Sequence, residues 1–133
     1  MERVLVQGRQ HSGKTITALK QAVSYGHQEI VFVSDSLHPG EVGFAIGSAF
    51  PGASVKMISE NEFIIDECVR ITAIDMRKTT VSNLRGIGCN VLISDMNSKN
   101  FDIFIDEYII PKDVFIEVKL LRKYNRVITT KEV

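Results

Sequence analysis

The sequence predicts an α/β domain built on a mainly parallel sheet, and three features carry that expectation. Short β-type runs alternate with helical patterns along the chain, the order that feeds parallel strands through helical crossovers. The chain opens on an apolar run, a glycine-bounded polar loop and an amphipathic stretch in immediate succession. A length of 133 residues, with 44% hydrophobic and 24% charged content and no internal repeat or linker, suits a single domain over residues 1–133.

Each element follows in order. Residues 3–7 form a short apolar strand that stops at Gly8, and residues 14–25 a helix with Ile16, Leu19 and Val23 on one side. Residues 29–34 (EIVFVS) are a second strand, followed by a turn at Leu37-His38-Pro39-Gly40. A short helix is expected over residues 41–50, weakened by Gly43 and Gly47. Residues 54–58 and the alternating 69–74 read as strands, and residues 79–85 as a helical turn before Gly86. Two strongly apolar runs follow, residues 89–95 and 101–106. Residues 112–124 space Val114, Val118 and Leu121 as an amphipathic helix, and residues 126–130 close the chain as a last strand.

Charge and composition exclude several classes. Sixteen basic residues balance sixteen acidic ones, so no broad basic surface for nucleic acid is evident, although a small patch is compatible with the balance. No apolar run reaches the roughly 18 residues needed to cross a bilayer, and the N-terminus lacks a signal region. The expectation is a soluble chain without membrane contact, cytoplasmic, or in the host cytoplasm if the chain is viral. Cys68 and Cys89 are isolated and have no partners at metal-ligand spacing, which reads as two reduced thiols.

The segment Gly8-Arg9-Gln10-His11-Ser12-Gly13-Lys14-Thr15 carries the most specific chemistry. It matches the Walker A pattern, in which glycines let successive backbone N–H groups converge on phosphate oxygens while the following helix aims its N-terminus at the same anion. Residues 8–15 are therefore the nucleotide-binding candidates. Lys14 supplies a cation to the β- and γ-phosphates, and the Thr15 hydroxyl is a Mg²⁺ ligand.

A phosphate-transfer site also needs a carboxylate for the metal shell and a group to orient the attacking water. Phe101-Asp102-Ile103-Phe104-Ile105-Asp106-Glu107 is an apolar run ending in two acids. It makes Asp106 the metal carboxylate and Glu107 the general base, at the sheet edge where ligands of parallel α/β proteins sit. Val91-Leu92-Ile93-Ser94-Asp95 is a rival apolar run ending in an acid, ranked second because Met96 follows where a Glu is wanted. Asp35, at the end of the second strand, is a third candidate and reads better as a capping or loop acid.

With Lys14-Thr15 and Asp106-Glu107 in hand, the chain resembles the P-loop NTPases whose Walker B Asp is followed by a catalytic Glu. The resemblance implies a three-layer α/β fold with residues 126–130 between residues 3–7 and 101–106, and a polar γ-phosphate sensor at Thr129 or Thr130. More loosely, it resembles the ATPase cores of viral DNA-packaging terminases and helicases, through Leu84-Arg85-Gly86, Asp106-Glu107 and Ile128-Thr129-Thr130 in that order. The activity so implied is Mg²⁺-dependent binding and hydrolysis of a nucleoside triphosphate, in all expectation ATP, coupled to nucleic acid and compatible with a homo-oligomer or protein partner. Arg9 resembles a loop arginine finger, and Lys119, Arg122, Lys123 and Arg126 form a basic cluster suited to a helix end or to a phosphate backbone. Two other uses of the same loop stay open. One is a small nucleoside or nucleotide kinase, with Glu107 or Asp35 as base; the other is a non-catalytic nucleotide-binding regulator.

Overall fold

The computed structural model describes residues 2–8, 13–23, 26–78, 89–95 and 126–132. Strand β1 (Glu2–Gly8) leads to helix α1 (Lys14–Ala22), and β2 (Gln28–Ser34) to helix α2 (Pro39–Ala49). Then come β3 (Val55–Ser59), β4 (Glu62–Ile65), β5 (Val69–Asp75), β6 (Val91–Asp95) and β7 (Arg126–Glu132). All seven strands join one sheet in the order β1-β7-β6-β2-β5-β4-β3. The pairs β1–β7, β7–β6, β6–β2 and β2–β5 are parallel, whereas β5, β4 and β3 form an antiparallel meander at one edge. The molecule is thus a mixed α/β fold with a mostly parallel sheet.

The elements form where their side chains can be buried. Along β2, Ile30, Phe32, Val31 and Val33 are all buried, the two-sided burial typical of a strand inside a parallel sheet. Ile30 and Phe32 join Ile71 and Ala73 of β5, Val91 and Ile93 of β6, and Ile128 of β7 in one core. Ala18, Leu19 and Ala22 of α1 and Val42, Ile46 and Ala49 of α2 close that core on the same face. Each of the larger side chains contributes about 1.5–3 kcal/mol by leaving water. Val31, Val33, Leu92 and Ser94 alternate with the core residues along their strands and are buried on the other face.

Helix α2 begins two residues earlier than its apolar pattern suggests. Pro39 occupies the first turn, where its missing N–H costs nothing. His38 is the N-cap: its Nδ1 accepts from Gly40 N–H at 3.1 Å, and Glu41 Oε1 accepts from His38 N–H at 3.3 Å. Gly43 is needed for close approach, since a Cβ there would lie 2.6 Å from Phe63 Cε1. Outside the core, Phe44 stands 80% exposed on α2, and Met57 and Ile58 are exposed on the edge strand β3.

The mainly parallel sheet is as expected, with β4 adding a short antiparallel strand between residues 54–58 and 69–74. One expectation needs correction: β7 has β1 on one side and β6 on the other. The second neighbour of the last strand is therefore Val91–Asp95, where the sequence led us to expect residues 101–106. The runs over 79–85, 101–106 and 112–124 lie outside the described residues.

Candidate functional site

The N-terminal unit places a strand before and a helix after the glycine pattern, as that pattern requires. Strand β1 ends at Gly8, and α1 begins at Lys14. Between them Arg9, Gln10, His11 and Ser12 lie outside the described residues. Gly13 is the N-cap of α1 with φ 85° and ψ 23°, a left-handed conformation that suits glycine and strains residues with a Cβ. No side chain caps this helix, and its first turn contains no acidic residue. The Gly13 carbonyl accepts from Thr17 N–H at 2.9 Å to start the helical ladder. An N-terminus of this kind keeps its positive end available to an anion.

Thr15, on the first turn of α1, is half-buried and its hydroxyl donates to Asp95 Oδ2 at 3.2 Å. Asp95 is the last residue of β6, at the C-terminal edge of the parallel strands, and is itself half-buried. This contact spans 80 positions of sequence. It depends on β6 lying two strands from β1, with α1 packed over β7 and β6. The fold therefore brings Thr15 to the acid that the sequence ranked second. Asp106 and Glu107 lie outside the described residues, so this geometry includes neither.

The same edge carries further polar groups. Asp95 and Asp75 flank Ser34 in register, one on β6 and one on β5. Ser34 Oγ accepts from the N–H groups of Ser36 and Leu37 at 3.2 and 3.0 Å, which shapes the exit of β2 toward α2. Asp35 follows in that turn and is half-buried. Asp75 is held by a two-point guanidinium contact: Arg77 Nε donates to Oδ1 and Arg77 Nη2 to Oδ2, each at 2.9 Å. That hydrogen-bonded cation holds the Asp75 carboxyl down at about 2. Arg77 is tied to its own strand end in this way, a role its sequence position did not announce.

Thr129 is buried on β7, in register with Ser94 of β6 and with Leu5 of β1. It lies on the sheet face opposite Ile128, which packs in the core closed by α1 and α2. Thr130 follows in register with Val6. Cys68 is exposed and Cys89 half-buried, and neither is part of a disulfide. Of the basic cluster, Lys119, Arg122 and Lys123 lie outside the described residues.

The donor set fits a magnesium–nucleotide. Thr15 and Asp95 offer one hydroxyl and one carboxylate, hard oxygen donors close enough to share an ion. Mg²⁺ commonly takes one or two protein oxygens and completes its shell with phosphate and water. Among the described residues no group of three or more His, Cys, Asp or Glu is placed to hold a metal. None of the described helices is long and apolar enough to cross a membrane.

No family model and no curated protein matches the sequence. Solved structures share its fold, and two of them are similar over nearly the whole chain. One is the large terminase of a thermophilic bacteriophage in complex with ADP, with a TM-score of 0.56 at 11% identity over 96% of this chain. The other is the N-terminal domain of the DNA packaging ATPase from bacteriophage phi29, with a TM-score of 0.54 at 16% identity over 99% of this chain. The chain spans 33% of the terminase and 74% of the packaging ATPase domain. At these identities the likeness establishes the fold.

Proposed function

We propose that the chain is a three-layer P-loop ATPase domain that binds Mg²⁺–ATP and hydrolyses it. The observation that carries the reading is the Thr15–Asp95 contact: a loop ending in Gly13-Lys14-Thr15 meets a carboxylate at the C-terminal tip of a buried parallel strand. Residues 8–15 cradle the phosphates, and Lys14 faces the β- and γ-phosphates. Thr15 and Asp95 hold the ion, which when bound draws charge from the phosphate oxygens. Asp95 thus takes the part that the sequence pattern gave to Asp106. Glu107 keeps the sequence-based role of orienting and deprotonating the attacking water. Thr129 or Thr130 of β7 senses the γ-phosphate. Burial of Val31, Val33 and Leu92 supports a layer on the second face of the sheet.

The reaction transfers the γ-phosphoryl group to water and yields ADP and phosphate. The terminase and packaging-ATPase folds among its structural neighbours support a use coupled to nucleic acid. The exposed Phe44, Met57 and Ile58 support contact with further copies of the chain or with a protein partner. Purified protein incubated with ATP is expected to release free phosphate, to stop when EDTA removes the metal, and to turn over faster with DNA or RNA at low salt. Transfer of phosphate to a small nucleoside acceptor would favour a kinase instead, and binding without turnover would favour a regulator.

A further inference from the structure

Strand β3 closes the sheet order of the described strands, paired antiparallel with β4 on its inner side. That pairing shifts register between Met57 and Ser59. Here two successive apolar residues face solvent, Met57 at 70% and Ile58 at 50% exposure. An apolar edge of this kind is a template for a further strand. Met57 is the register partner of Phe63, which packs in the core beneath α2. Met57 therefore lies on the same side of the sheet as α2, the helix that carries the exposed Phe44. Lys56 is the one charge within β3, and Glu60 stands exposed in the turn that follows it.

We propose that β3 pairs with β3 of a second copy of the chain, antiparallel about a two-fold axis at Ile58. The charges choose both the occupant and the register. A two-fold pairing sets one residue opposite its own copy and runs the neighbours outward in opposite directions. Centred on Lys56 or on Glu60, it opposes like charges, which is unfavourable across a strand pair. Centred on Met57, it sets Lys56 against Ile58. Centred on Ile58, it sets Met57 opposite Ser59 and Lys56 opposite Glu60, and symmetry makes that charge pair twice. Lys56 also lies 3.6 Å from Glu67, but both side chains are well exposed, so that contact is weak and does not tie the lysine down. The two sheets become continuous, with both copies of Met57 and Phe44 on one side of the seam. This names the occupant of the copy contact proposed above and rests on that contact alone, not on the nucleotide site.

Analytical ultracentrifugation of the full chain over a concentration series, with reversed charges, tests this. The parent should move toward twice its monomer mass as concentration rises. Lys56→Glu and Glu60→Lys should each raise the dimer dissociation constant about fivefold or more, since each change opposes like charges twice. The double reversal should return to within about threefold of the parent. Under mild oxidation Ile58→Cys should form a covalent dimer, because residues opposed in an antiparallel pair lie within disulfide reach. Lys56→Cys should not exceed the parent's background from Cys68 and Cys89, because four residues of offset place it about 13 Å from its copy. A parent that stays monomeric throughout would overturn the proposal and give the edge to a different chain. A double reversal no better than the single ones, or Lys56→Cys linking as readily as Ile58→Cys, would overturn it as well. Calorimetry with Mg²⁺–ATP on the same samples reports on the nucleotide reading separately.

Discussion

Lys14 and Asp75 mark the two kinds of charge at the C-terminal edge of the sheet. Lys14 opens α1 beside the left-handed Gly13, and that placement was legible because the glycine pattern predicts a turn leading straight into a helix. Replacing it with alanine should leave the fold intact and reduce affinity for Mg²⁺–ATP at least about tenfold, or about 1.4 kcal/mol, by calorimetry. Asp75 was not legible, because nothing in residues 69–78 says that Arg77 turns back onto its own strand end. Its carboxyl lies at about 2, below the ordinary 3.8, through the Arg77 hydrogen bonds. A depressed carboxyl contributes stability above its unfolded value and loses it as pH falls through the folded one. Asp75→Asn should therefore be less stable than the parent at pH 7, and the difference should vanish between about pH 4 and pH 2 in denaturant titrations.

At the scale of elements, apolar periodicity revealed most of what it could. Helix α1, strands β2 and β5, and the body of α2 all fall where buried residues recur at helical or strand spacing. Strand β4 escaped because its four residues, which begin at the polar Glu62 straight after Glu60-Asn61, give too short a pattern. It is recognisable only once Phe63 and Ile65 are seen buried between β3 and β5. Gly43 looked like a weakness in α2 and is instead the place where the helix settles on Phe63. Gly43→Ala should raise local helix propensity yet destabilise the protein by about 1–3 kcal/mol, because the ring must be displaced from a packed core. Urea unfolding measures this directly, and Gly47→Ala is the matched comparison, since a Cβ there meets nothing within 4 Å.

For the whole molecule, the decisive fact is strand order. Residues 89–95 and 101–106 are both apolar runs ending in aspartate, and strand propensity cannot rank them. The following Glu107 made the later run the better match to a phosphate-transfer site. Which strand neighbours β7 is a property of the assembled sheet, where β6 fills that position and carries Asp95 to Thr15. In the proposed site this pair, one residue from a helix and one from a strand, holds the metal that accompanies the nucleotide. Calorimetry of ATP binding with and without Mg²⁺, run on Asp95→Asn beside Asp106→Asn, tests it most directly. Asp95→Asn should lose at least about tenfold of the Mg²⁺-dependent affinity, while Asp106→Asn stays within about threefold of the parent. Full Mg²⁺-dependent binding in Asp95→Asn, with its loss in Asp106→Asn, would contradict the assignment and return the metal to the later strand.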